Sequence, residues 1–199
     1  MTTSLLFFDS ESLRPGWGWL LFLGIVMVFL GTVALVIMPV RHEALETAPL
    51  LREELVVAVP HDHPLASRKT VPITELKGVP LVMFRDGYDL RATTVAACRR
   101  AGFEPVFALE GGEMDGVLRF AAAGLGVAVV PSLVIDPAGP LRAVRLAEPL
   151  TRTIGFANRR DRRLSRAGRE FVDTVRGLVR GRDWLRARPP GLMVLDTKG

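Results

Sequence analysis

The segment "RDGYDLRATT" (85–94) sets Arg85, Gly87, Tyr88 and Arg91 where an apolar run ends and an amphipathic stretch begins. A strand end that opens a helix presents free backbone N–H groups and the positive end of the helix dipole, and such a place attracts an anion such as a carboxylate. Gly87, Tyr88 and the backbone around Arg91 are the first choices for these contacts, with Arg85 beside them. Gly111 and Gly112 follow the run "VFALE". They face the same crevice by the rule that ligands of open α/β sheets lie outside the carboxyl ends of the strands. The plainer reading of these three glycines is turn formation.

Other chemistry-bearing residues point less far. "HDHPLA" brings His61, Asp62 and His63 together, but neighbouring side chains of an extended segment point opposite ways, so a solvated turn is expected rather than a metal site. Cys98, the single cysteine, lies in an apolar helix stripe before Arg99 and Arg100 and reads as a buried small hydrophobe. A lone cysteine also excludes a disulfide within the chain and fits a reducing compartment. There is no GxSxG, Walker loop or HExxH, and "GGEMDG" lacks the GxGxxG spacing. The sequence therefore calls for no enzyme, no cofactor and no metal.

The elements that must hold these residues alternate between short apolar runs and amphipathic stretches, the sign of a sheet fed by crossover helices. Strands are expected at 54–60, 80–84, 106–110, 126–130, 141–146 and 153–159. Helices are expected at 89–102, with Asp89 as N-cap and Gly102 as stop, and at 113–124, with Val117, Phe120 and Ala121 inward and Gly124 as stop. The last, at 165–180, carries Ser165 as its cap and Ala167, Phe171, Val175, Leu178 and Val179 as its apolar face. Residues 183–199, with two adjacent prolines, read as a loose tail.

A net charge of +5 and a pI near 10.3 suggest an acidic partner. Between 152 and 188 the sequence holds 12 basic residues and 4 acidic ones. No aromatic-interleaved patch or recognition helix accompanies them, so this arginine reads as a solvated face and not as a reader of DNA sequence.

The opening stretch is of another kind. No charge falls between Pro15 and Val40, and the 20 residues from Trp19 to Met38 would span roughly 30 Å as a helix, the depth of a bilayer core. Residues 1–16 read as a tail and 17–40 as one transmembrane helix, with Trp17 and Trp19 as an interfacial belt. Asp9, Glu11 and the absence of a small-residue cleavage site argue against a signal peptide. Arg14 on one side against Arg41 and Arg52 on the other places the C-terminal domain in the cytoplasm. This gives a single-pass membrane protein, with a cytoplasmic chain as the alternative.

Four phrases in order, "LREELVVAVPHDHPLA" (51–66), "ITELKGVPLVMF" (73–84), "AAAGLGVAVVP" (121–131) and "RRLSRAGREFVDTV" (162–175), carry a resemblance. Residues 45–182 resemble the effector-binding domain of LysR-type transcriptional regulators. The resemblance implies an α/β, type 2 periplasmic-binding-protein-like fold of two lobes around a cleft for a small effector. It also implies what is truncated. Residues 54–131 would make the second lobe nearly complete, 132–182 only the returning part of the first, and the DNA-binding domain and first half-lobe would be replaced by residues 1–40. The opening helix resembles the first membrane helix of the HdeD acid-resistance family. The expected function is thus a truncated effector-binding module, residues 41–182, fused to a membrane helix near Val40. The alternatives are an HdeD-type membrane fragment without ligand function and a misassigned gene start. With one cleft wall incomplete, residues 41–199 should bind small carboxylates weakly and show no sequence preference for DNA, and the incomplete lobe's unpaired sheet edge should favour association.

Overall fold

The computed structural model describes residues 33–40, 42–181 and 191–195. Its elements are β1 (Val33–Met38), β2 (Leu45–Pro60), β3 (Thr70–Val71), β4 (Pro80–Phe84), α1 (Asp89–Arg100), β5 (Val106–Gly112), α2 (Met114–Ala122), β6 (Ala128–Pro131), β7 (Leu141–Leu146), β8 (Thr151–Arg159), α3 (Arg166–Arg180) and β9 (Met193–Val194). Single 3-10 turns occupy Pro64–Ser67, Ile73–Leu76 and Ser132–Val134.

Strand β2 organises the molecule. Its first half, Leu45 to Glu54, pairs antiparallel with β8, while its second half, Leu55 to Pro60, lies between β6 and β7. One strand thereby belongs to two lobes. The first lobe's sheet runs β1-β8-β2-β9, with α3 packed on it through a core of Val33, Leu50, Leu51, Phe156, Val172 and Val179. The second lobe continues β2-β7-β3 on one side. On the other, β6 is stitched to β4 by Val82 N–H to the Val127 carbonyl (2.8 Å) and Val127 N–H to that of Pro80 (3.0 Å), and β4 runs parallel to β5. Leu55, Val56, Val57, Ala58 and Val59 are all at most 1% exposed, as expected of a central strand covered on both faces.

The chain returns to the first lobe through residues 147–150, where Leu55 N–H donates to the Leu150 carbonyl at 2.7 Å. Glu53, Glu54, Leu55 and Leu150 therefore mark the crossing.

Several elements differ from the sequence reading. Val33–Met38 is not the end of a transmembrane helix: it is a strand in full register with β8, from Val33 opposite Asn158 to Met38 opposite Thr153. The expected 17–40 helix and the junction near Val40 fail here because a β-branched run, VALVIM, pairs with a neighbouring strand rather than closing on itself. The rest of that helix and the 1–16 tail lie outside the described residues. Among the described residues, no helix is long and apolar enough to cross a membrane. Met193–Val194, placed in the loose tail, forms β9 against Leu51 and Arg52. Tyr88, not Asp89, occupies the N-cap of α1, and its side chain does not bond the helix.

The helix faces shift slightly. Ser165 caps α3 by accepting from Gly168 N–H at 3.0 Å, as expected, but the helix buries Gly168, Val172 and Val179 and leaves Ala167 and Leu178 exposed. In α2, Val117 and Ala121 are buried while Phe120 stands 39% exposed.

Candidate functional site

The carboxyl ends of β4, β5 and β6 and the lobe crossing meet in one region. Gly87, at φ +80°, turns the chain after β4. The ring of Tyr88 then stacks on Phe84 with centroids 4.7 Å apart and planes at 11°. Burial pushes the Tyr88 hydroxyl above its ordinary value, aided by Asp89 and Glu113 and opposed by Arg152 and Arg85. At neutral pH it is an O–H donor. Arg85 is held by Glu113, the N-cap of α2, and its guanidinium lies 5.8 Å from the Tyr88 ring centre.

Arg91 is committed to structure. Its Nε meets Asp86 at 2.8 Å, Nη2 meets Glu110 at 2.6 Å, Nη1 donates to the Phe84 carbonyl at 3.1 Å, and the guanidinium sits 5.0 Å from the Phe107 ring centre. Every nitrogen has a partner, so Arg91 straps α1 to β4 and β5 beside a 430 Å³ hollow that Gly87, Tyr88, Val95 and Phe107 also line. Gly111 lies at φ +95° where β5 ends. A Cβ at Gly112 would come within 2.8 Å of Val117 Cγ2, so this glycine is explained by the seating of α2 on the strand. Of the six expected residues, Arg85, Gly87 and Tyr88 share the region beyond β4, Arg91 is turned into the lobe, and the two glycines form the passage from β5 to α2.

The residues missed from the sequence lie at the crossing itself. Glu53 is fully buried, with Arg152 directly across the β2–β8 ladder, and Arg152 Nε donates to Glu53 Oε1 at 2.6 Å. The other carboxylate oxygen accepts from Leu133 N–H at 3.4 Å. One carboxylate thus joins β8 of the first lobe to the segment after β6 of the second. Ser132, only 2% exposed, has a buried hydroxyl with no partner among the described residues. A buried polar group left unpaired costs about 1–3 kcal/mol.

The remaining candidates resolve plainly. His61 Nε2 bonds the Gly139 carbonyl at 2.9 Å, and His63 Nδ1 accepts from Leu65 N–H at 3.2 Å as the cap of a 3-10 turn. Cys98 is buried, and burial pushes its thiol up.

This chain matches the LysR substrate binding domain over residues 32–180, and it belongs to that family. It is a regulatory domain and not an enzyme. The match begins ahead of β1, earlier than the residue 45 expected from the sequence phrases. Among curated relatives, the transcriptional dual regulator GltC of Bacillus subtilis is 30% identical over 129 residues, covering 63% of this chain and 43% of that protein. The DNA-binding transcriptional dual regulator OxyR of Escherichia coli is 28% identical over 145 residues, covering 71% and 48%. The chain thus spans about half the length of the curated relatives it matches. The regulatory domain of Synechocystis CcmR, solved in complex with 2-PG, shares the fold with a TM-score of 0.67 at 23% identity, over 79% of this chain and 80% of that one. The C-terminal domain of a probable LysR family regulator from Rhodococcus gives 0.63 at 25%, over 76% and 79%.

Proposed function

We propose that the chain is the effector-sensing part of a LysR-type transcriptional regulator and takes a small carboxylate in the crevice between its lobes. The observation that carries this reading is the lobe crossing, where the buried Glu53 carboxylate joins Arg152 of β8 to Leu133 after β6, in a LysR substrate binding domain whose fold is shared by the CcmR regulatory domain solved with 2-PG. A ligand that touches both sides of the crossing shifts the balance between lobe arrangements by its differential affinity, which is what a sensing domain requires. The described residues hold no reader of DNA sequence. Each of the three described helices is separated from the next by strands, so none of them forms a helix-turn-helix, and the arginines of α3 offer only a charged face.

Thermal unfolding of the full chain against a panel of small acids, with uncharged analogues alongside, tests this. A ligand at a hundredfold excess over its Kd adds about 2.7 kcal/mol of stability, so acids should raise Tm by several degrees and analogues should not. A flat response across the panel would overturn the reading. DNA binding at two salt concentrations should show only weak, salt-sensitive association, and a salt-resistant preference for one duplex would refute that part of it.

A further inference from the structure

We infer that Arg152 is the anion receptor of the crevice, presented by Glu53, and that the ligand group it takes is a planar carboxylate or a phosphate oxygen pair. This deepens the effector reading above and rests on it.

Four arginines stand near the crossing, and Arg145 lays Nε and Nη2 on Glu54. Arg85 is engaged by Glu113 and also donates to the Asp86 carbonyl at 3.3 Å, and Arg91 has all its nitrogens occupied. Arg152 uses only Nε, on Glu53, and its two terminal nitrogens bond no described residue. Its side chain is 15% exposed, so the guanidinium is largely out of water yet open on one side. A guanidinium fixed at Nε keeps its Nη pair as a rigid fork, the shape that fits a carboxylate or two phosphate oxygens.

The surroundings agree. Arg152 lies opposite Glu53 at the sheet edge where β6 and β4 also end and which Tyr88 follows, and its charge opposes the rise of the Tyr88 hydroxyl. Ser132 stands beside Leu133, whose N–H already reaches the same Glu53. An anion on the Arg152 fork would therefore lie at the same sheet edge as Tyr88 and the segment that carries Ser132. Glu53 holds the fork in place and, being fully buried, is a positioning residue without ligand contact.

The experiment uses the full chain, with benzoate, succinate and inorganic phosphate as probes, followed by calorimetry. Tyr88 is the only tyrosine, so tyrosinate absorbance against pH reads this crevice directly. The charges that act on its hydroxyl are those of Asp89, Glu113, Arg85 and Arg152. In Arg152→Gln the Tyr88 titration should move further up, and probe affinity should fall by about tenfold to a hundredfold, the worth of a charge-assisted hydrogen bond. Arg68→Gln, at an exposed pair with Glu75 away from the crossing, should leave affinity within about threefold. Because Arg152→Gln strands a buried Glu53, the double variant Glu53→Gln/Arg152→Gln and the charge-keeping Arg152→Lys are measured as well. The double variant should match Arg152→Gln, and Lys should keep the Tyr88 titration near wild type while losing affinity.

Probe binding unchanged in both Arg152→Gln and the double variant would overturn the assignment and leave the effector reading standing. An unmoved Tyr88 titration would overturn the placement of Arg152 whatever the ligand. If uncharged compounds stabilise the wild-type chain and none of the three anions binds, the ligand class assigned here is wrong while the sensing role survives. A phosphate-only response selects phosphate over carboxylate within the assigned class, and supports it.

Discussion

Arg145 lays Nε and Nη2 on the two carboxylate oxygens of Glu54, each at 2.9 Å, and so ties β7 to β2 one residue before Leu55, where β2 changes lobes. The bidentate fork is the strong form of an ion pair, although Arg145 is 43% exposed and solvent screens part of the attraction. Arg145→Ala should cost about 1 kcal/mol in urea unfolding. A double-mutant cycle with Glu54→Ala should show that the two effects are not additive. Full additivity would mean that the pair contributes nothing as a pair.

Gly155 sits in the middle of β8 with strands on both sides. A Cβ there would fall 2.5 Å from the Ala48 carbonyl oxygen, 2.8 Å from Met38 Sδ and 3.1 Å from Pro49 Cα. Two of these three are backbone atoms that cannot swing aside. Gly155→Ala should lose about 1–3 kcal/mol, the usual cost of overpacking. A neutral outcome in denaturant unfolding would contradict the placement of β1 and β2 against β8.

Cys98 faces inward from α1 with no exposed surface. Burial disfavours its thiolate and raises its pKa above the ordinary 9.0. The native thiol should therefore react slowly with a disulfide reagent and quickly once the chain is unfolded in urea. The sign of the pH effect follows. Above pH 9.0 the unfolded chain loses this proton while the folded one keeps it, so the folded state binds more protons and stability falls as pH rises. Cys98→Ala should flatten that decline. Rapid labelling of the folded chain would show that the thiol is accessible and that burial is not what governs it.

Much of the second lobe is legible in the residues. "PLVMF" is bounded by a proline and a charged turn and is β4 to the residue, and "LRAVRL" is β7. Gly102 and Gly124 lie at positive φ where their helices were expected to stop. The first lobe is not legible in the same way. Half of β2, "LETAPLLREE", carries a proline and charges and bends at an irregularity between Pro49 and Leu51, so no alternation marks it. β1 is uncharged and runs on from an apolar stretch, and an unbroken apolar run does not by itself tell a strand from a helix. The site divides likewise. Strand-end rules put Gly87 and Tyr88 in the turn between β4 and α1, where they lie, because those rules are local. Glu53 and Arg152 are 99 residues apart and meet only through the β2–β8 register, which no spacing in the sequence encodes.

The edge of the first-lobe sheet supplies the last prediction. β1 pairs with β8 along one side, and among the described residues no strand lies along the other. Its six residues, VALVIM, include no charge, no proline and no glycine. Natural edges are usually interrupted by a charge, a bulge or a proline, because a flat apolar edge offers its N–H and C=O groups to any passing strand. The chain should therefore self-associate as its concentration rises, measurable by sedimentation velocity. Ile37, opposite Ile154 and 42% exposed, is the position where a charge can be set on this edge without entering the core. Ile37→Lys should shift the distribution toward monomer while changing unfolding stability by no more than about 0.5 kcal/mol. An unchanged distribution at equal stability would place the association elsewhere on the molecule. A loss of several kcal/mol would show instead that the Ile37 side chain is part of the packed lobe.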